Sequence, residues 1–170
     1  MDETMHTDSR LRAIDRMLNP RSIAIVGASD KIGPGFNAWN ALKHVGFGGT
    51  VYLVNPTKTE LLGQRCYPSL DAIDSDVDAA FVAVKAENVL EVAKQAAAKK
   101  AGGMAILSSG FGDAGREGLK LQNDLAAFAA QSGLSVCGPN CLGGWPFFHA
   151  GGSMCSVERS FSLQMNSIIS

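Results

Sequence analysis

The residues with chemistry to offer gather in five short clusters, each directly after an apolar run. Gly27, Ala28, Ser29, Asp30 and Lys31 follow Ser22–Val26, and Asn55, Pro56, Thr57 and Lys58 follow Thr50–Val54. Lys85 and Ala86 come after a run that ends at Val84, and Ser108, Ser109 and Gly110 after the run 104–107. Gly138, Pro139, Asn140 and Cys141 follow 134–137. Small residues let a backbone turn sharply and approach a ligand closely. Where such a loop opens into a helix, unpaired N–H groups converge at positive potential and form an anion site. The chemistry on offer is therefore the holding of a phosphate compound.

The elements that must position these clusters follow from the hydrophobic pattern. Residues 22–26 are apolar at four of five positions without alternation, the mark of a strand buried on both faces. From Phe36, apolar residues at Ala38, Trp39, Leu42 and Val45 have helical spacing, and Gly46 stops that helix. Further strands are predicted at 50–54, 78–84, 104–107 and 134–137, and helices over about 87–100 and from 113 to about 132. The segment 61–69 reads as a longer connection, and Gly102-Gly103 closes the helix before the fourth strand. Upstream, 11–18 forms one short helix stopped by Asn19-Pro20, after a polar and frayed 1–10. Alternating strands and helices predict a Rossmann-like α/β fold: a doubly wound parallel sheet of about five strands in a three-layer α/β/α arrangement. Ligands of such sheets collect at the carboxyl ends of the strands, where all five clusters fall.

Composition narrows the field. In 170 residues, 46% are hydrophobic and 18% charged, enough for one globular domain with a core. A net charge of −1 argues against nucleic-acid or membrane-surface partners. The four cysteines, Cys66, Cys137, Cys141 and Cys155, show no CxxC pairing and imply neither a zinc ribbon nor a disulfide framework. The first 18 residues contain no apolar core of a leader, and no run is long enough to cross a bilayer, so a cytoplasmic location is expected.

The dinucleotide fingerprint needs G-x-G-x-x-G and an acid about 20 residues further on to hold a ribose 2′-hydroxyl. Here Ser29 stands at the second glycine, the spacing from Gly27 to Gly33 is too long, and the second strand ends in Asn55-Pro56 without a carboxylate. Lys58 just beyond favours an additional phosphate over a bare ribose. NADP and a 3′-phosphorylated ADP such as that of coenzyme A both satisfy this.

A family resemblance then becomes specific. LNPRSIAIVGAS, VNPTK, CYPSL at 66–70, SSGF at 108–111 and GPNCLG at 138–143 occur in one order. Together they resemble the N-terminal CoA-binding domain of NDP-forming acyl-CoA synthetases, which include ADP-forming acetate–CoA ligase and are related to the α chain of succinyl-CoA synthetase. The resemblance implies that Gly27, Ala28 and Ser29, with Asp30 and Lys31 flanking them, hold the CoA pyrophosphate. It places Asn55, Pro56 and Lys58 near the adenosine phosphates, and Val84, Lys85 and Ala86 on the adenine side. Ser108, Ser109 and Gly110 would face the pantetheine path, and Asn140 belongs to the GPN[CS] turn. It further implies a binding module for CoA or acyl-CoA, working with a separate ATP-grasp or phosphohistidine-bearing chain. His6, His44 and His149 match no phosphohistidine position, and no nucleotide-grasping segment or G-x-x-x-x-G-K-[ST] loop is present, so a complete ligase is not expected.

The domain division that follows is an extension at 1–17, the CoA-binding domain at 18–144, and a divergent or truncated tail at 145–170. That tail, rich in serine and phenylalanine and nearly without charge, reads as foreign to the fold. For several other residues, ordinary structural roles are expected. Cys137 and Cys141 read as small buried hydrophobes, Trp39 and Phe128 as core residues, and His44 as a surface or capping residue. Lys99 and Lys100 read as a solvated helix end, and Asp71, Asp74, Asp76 and Asp78 as a solvated acidic connection without metal. The alternative reading of Ser108, Ser109 and Gly110 is helix-entry turn chemistry with Asp113 as the cap. Two other functions stay open: an NAD(P)-binding regulatory domain, and a folded fragment without function.

Overall fold

The structure, a computed structural model, describes residues 3–139. In chain order it comprises α1 (Glu3–Leu18), β1 (Ser22–Val26), α2 (Pro34–His44), β2 (Thr50–Val54), β3 (Glu60–Leu61), β4 (Gln64–Tyr67), β5 (Ala79–Val82), α3 (Ala86–Ala98), β6 (Gly103–Ile106), α4 (Arg116–Ser132) and β7 (Ser135–Cys137), with one 3-10 turn at Gly112–Ala114. The strands form one sheet in the order β3-β4-β2-β1-β5-β6-β7. Every pairing is parallel except the antiparallel β3–β4. Every residue of β1, β5 and β6 is buried, as unbroken apolar runs require when helices cover both faces of a parallel sheet.

Alternate residues of these strands feed two cores. On one face Val26, Val82, Met104 and Ile106 join Val89 of α3 and Leu125 of α4. On the other, Ile23, Ile25, Leu53 and Phe81 join Met17 of α1 and Ala38 and Leu42 of α2. This is the predicted Rossmann-like, three-layer α/β/α arrangement. β1 pairs with β2 on one side and β5 on the other, so the winding reverses between β1 and β5. The crevice at their carboxyl ends is where such a sheet offers room for a ligand.

The sheet is wider than the five strands expected. The predicted connection at 61–69 contains a hairpin, whose two turn residues Leu62 and Gly63 have φ of 54° and 73°. Positive φ at both turn positions matches the twist of the flanking strands. β4 then continues the sheet beside β2, with Leu53 opposite Cys66 and Val54 opposite Tyr67. Two short, mostly polar edge strands have no alternation to betray them, which is why the pattern missed them.

The amino-terminal helix also begins earlier than predicted, at Glu3, and it is tied to the sheet. A Cβ on Gly102 would lie 2.5 Å from the Ala13 carbonyl oxygen, and one on Gly103 2.3 Å from the Met17 sulfur. The two glycines therefore do more than end α3, since they let α1 lie directly on the start of β6. Of the acids expected to be solvated, Asp71, Asp74 and Asp76 are exposed, but Asp78 is not. It is buried, accepts Arg16 Nε at 2.8 Å, and takes the backbone N–H groups of Arg21 and Ser22 at 2.9 and 3.2 Å. Burial alone would raise its pKa, but the Arg16 hydrogen bond and charge, with the two N–H groups, hold the carboxyl below its usual value. Lys99 likewise departs from the solvated role, because its ammonium donates to the Ile73 carbonyl. Trp39 and Phe128 are partly buried against the two cores, and His44 is an exposed residue at the end of α2. Among the described residues, no helix is long and apolar enough to cross a membrane.

Candidate functional site

The site is built on the carboxyl ends of β1, β2, β5 and β6. At the end of β1, Gly27 adopts φ 88°, and the N–H groups of Gly27 and Ala28 both donate to the Val54 carbonyl, at 3.0 and 3.1 Å. The loop thus folds over the end of β2, and Ala83 N–H donates back to the Val26 carbonyl at 2.8 Å. Glycine is required here for space as well as for φ, since a Cβ on Gly27 would lie 2.3 Å from the Ala83 carbonyl oxygen. The start of α2 presses on the same loop, where a Cβ on Gly35 would lie 2.2 Å from the Gly27 carbonyl oxygen. Ser29 Oγ accepts the N–H of Lys31 at 3.0 Å and turns the chain outward. α2 opens on Pro34, with no side-chain cap and no acid in its first turn. Its positive end faces the loop uncompensated, the electrostatic condition for holding an anion.

The β2 end is organised by Asn55. Its Nδ2 donates to the Ala28 carbonyl at 2.8 Å, and its Oδ1 accepts both the N–H and the Oγ1–H of Thr57 at 2.9 Å. Its own N–H donates to the Tyr67 carbonyl at 2.9 Å. Pro56 and Lys58 lie exposed beyond this turn. Cys66, under the same turn, is buried; burial pushes its thiol up, opposed by weak contacts to the Asn55 and Tyr67 carbonyls. A thiol with a raised pKa is a poor nucleophile at neutral pH.

On the other side of the crevice, Lys85 precedes the first turn of α3, Ala86 is buried and Val84 half-buried. Ser108 is buried, and its hydroxyl donates to the Val84 carbonyl, joining the loop after β6 to the loop after β5. Ser109 is exposed beside it. Gly110, at φ 98°, brings its backbone against Ala86, with 3.4 Å from an added Cβ to the Ala86 Cβ. Asp113 does not cap α4, the role it has in the alternative turn-chemistry reading of 108–110. Its Oδ1 accepts the Phe111 N–H at 2.9 Å and closes the 3-10 turn, while Gly115 stands at the cap.

Four of the five predicted clusters therefore meet on one rim: Gly27 to Lys31, Asn55 to Lys58, Val84 to Ala86, and Ser108 to Gly110. Gly138 and Pro139 end β7 at the sheet's edge, and Asn140 and Cys141 lie outside the described residues, as does the tail 145–170. The contribution that sequence reasoning missed is Tyr67, whose carbonyl anchors Asn55; only the pairing of β4 with β2 brings it there. Among the described residues, no group of three or more His, Cys, Asp or Glu side chains could hold a metal ion.

A family model described as a CoA binding domain matches residues 21–144, which span this entire rim. The chain belongs to that family. As a CoA-binding domain, it is similar to the corresponding region of ADP-forming acyl-CoA synthetases. Trans-feruloyl-CoA synthase of an unknown prokaryotic organism is 42% identical over 131 residues, covering 76% of this chain and 18% of that protein. The alpha subunit of ADP-forming acetate–CoA ligase II from Pyrococcus furiosus is 35% identical over 131 residues, 76% of this chain and 28% of the subunit. The dinucleotide-forming acetyl-coenzyme A synthetase 1 of Candidatus Korarchaeum cryptofilum, solved in complex with phosphate and ADP, superposes with a TM-score of 0.70 at 32% identity, over 76% of this chain and 28% of that one. The chain thus spans less than a third of the length of each of these relatives. Within this CoA-binding domain the close approaches at Gly27 and Gly35 pack the loop after β1 against the end of β5 and the start of α2.

Proposed function

We propose that the rim binds coenzyme A across the switch point, with the pyrophosphate on the loop of Gly27, Ala28 and Ser29 and at the amino end of α2. In this reading Asp30 and Lys31 flank the phosphates, and Lys58, beyond Asn55 and Pro56, takes the 3′-phosphate. Val84, Lys85 and Ala86 border the adenine, and Ser109 and Gly110 border the pantetheine arm. Ser108 supports that border from beneath. The observation that carries the reading is the glycine loop wedged between β1, β5 and α2, with an uncapped helix end facing it. CoA suits such a rim because its head is a cluster of phosphates and its arm is long and thin.

The domain would serve as the CoA-holding part of an NDP-forming acid–CoA ligase, acting in the cytoplasm on CoA or acyl-CoA. The phosphohistidine and ATP-grasp machinery would come from other segments or a separate chain, a division of labour that the alpha subunit of the Pyrococcus furiosus enzyme makes reasonable.

Calorimetric titration with CoA, dephospho-CoA, NAD and NADP tests the reading. CoA is expected to bind more tightly than dephospho-CoA by about tenfold, the worth of one charge-assisted contact. Lys58→Ala should abolish that preference. Tighter binding of NAD or NADP would overturn the proposal in favour of a dinucleotide regulator, and no heat with any ligand would mark a fold without the function.

A further inference from the structure

Asn55 occupies the end of β2, where dinucleotide folds place an acid that grips the ribose. Its amide orientation is settled by its partners: Thr57 N–H and Oγ1–H both require an acceptor, so Oδ1 faces Thr57 and Nδ2 faces the Ala28 carbonyl. One side chain therefore joins the glycine loop to the turn that precedes Lys58. The glycine loop has other anchors, because Gly27 N–H and Ala28 N–H are both held by the Val54 carbonyl. The Lys58 turn has fewer, since Pro56, Thr57 and Lys58 are exposed and the Lys58 N–H reaches the Asn55 carbonyl only at 3.5 Å.

We infer that Asn55 is a positioning residue that sets the spacing between the glycine loop and Lys58, and that this spacing makes the rim selective for a ligand carrying both a pyrophosphate and a further phosphate on its adenosine. This rests on the proposed CoA site and adds to it the device that measures the ligand. The side chain spends its polar atoms on the protein, and selectivity is exerted through the turn it holds. A loose Lys58 turn pays the ordering entropy on binding, and a pre-formed one does not.

The test compares Asn55→Ala and Asn55→Asp with the parent chain. The aspartate keeps an acceptor for Thr57 but cannot, when ionised, donate to the Ala28 carbonyl. Amide hydrogen exchange without ligand should speed up at Thr57 and Lys58 in the alanine variant, while Gly27 and Ala28 stay protected. Titration should show CoA affinity falling about tenfold in both variants, with dephospho-CoA affinity changed less than about twofold, so that the preference collapses although Lys58 is intact. Unchanged exchange at Thr57 and Lys58 overturns the inference, as does a retained CoA preference, or an equal loss for both ligands. A parent chain that does not prefer CoA overturns the reading of Lys58 instead, and that result is read on the parent alone. If Asn55→Ala does not fold, the aspartate variant carries the test.

Discussion

At the residue scale, Gly27 is the position with least latitude. It combines φ 88° with a backbone oxygen 2.3 Å from where a Cβ would stand. Gly27→Ala must accept the strained φ and push β1 and β5 apart at the crevice. Chemical denaturation is expected to show a loss of about 3 kcal/mol, the upper part of the range for single substitutions. Gly63→Ala is the matched control, because Gly63 also has positive φ (73°) but nothing within 4 Å of an added Cβ. It should cost about 1 kcal/mol, from φ alone. Equal losses in the two variants would show that crowding at the Ala83 carbonyl contributes nothing. Ser108, in the predicted cluster after β6, donates its hydroxyl to the Val84 carbonyl and so ties that loop to the one after β5.

At the element scale, the unexpected feature is the attachment of α1. Arg16 on α1 bonds Asp78 at the entrance to β5 and also donates to the Lys100 carbonyl at 2.9 Å, beyond the end of α3. The Asp78 carboxylate in turn holds two N–H groups at the start of β1. One buried acid thus joins α1, β1 and β5 at the end of the sheet opposite the ligand rim. Asp78→Asn should destabilise the chain by about 1–3 kcal/mol at pH 7, since a charge-assisted acceptor is lost inside the fold. The pH dependence has a definite sign. Because the folded-state pKa lies below the unfolded value of about 3.9, the carboxylate's contribution is complete above that value and is lost as pH falls through the lowered one. Urea melts of the two proteins should therefore differ most at neutral pH and converge in strong acid. A gap that widens on acidification would contradict the pairing.

At the scale of the whole molecule, the proposed function gives this domain the holding of the ligand and leaves the chemistry to other segments. The rim presents backbone amides, lysines and small residues, whereas Cys66 is buried with its pKa raised. The matched region makes up less than a third of each relative, so the proposal assigns their chemistry to segments beyond it. A protein of these 170 residues is expected to bind CoA and to release no ADP from ATP with acetate and CoA, whether assayed alone or at high concentration. Coupled detection of ADP checks this, and turnover above the background without protein would refute it.

Much of this was legible in the residues themselves. Unbroken apolar runs such as SIAIV and AAFV determined buried parallel strands, because only strands covered on both faces tolerate such runs. Small and polar residues after each run marked the rim, and Ser29 and Asn55, by departing from the dinucleotide pattern, pointed away from a bare ribose. Tertiary structure decided what short-range pattern cannot carry. β3 and β4 exist because a strand edge beside β2 was available to pair with, and their few polar residues carry no periodic signal of that. Asp78 looked like one acid in a solvated series until folding brought Arg16 to it across 62 positions of chain. Asn55 and Ser108 stand in the predicted clusters, and the fold adds that their side chains brace neighbouring loops. Local pattern determines which residues are buried and where the chain turns, but the partner of a polar side chain is chosen by whatever the rest of the fold carries within about 3 Å of it.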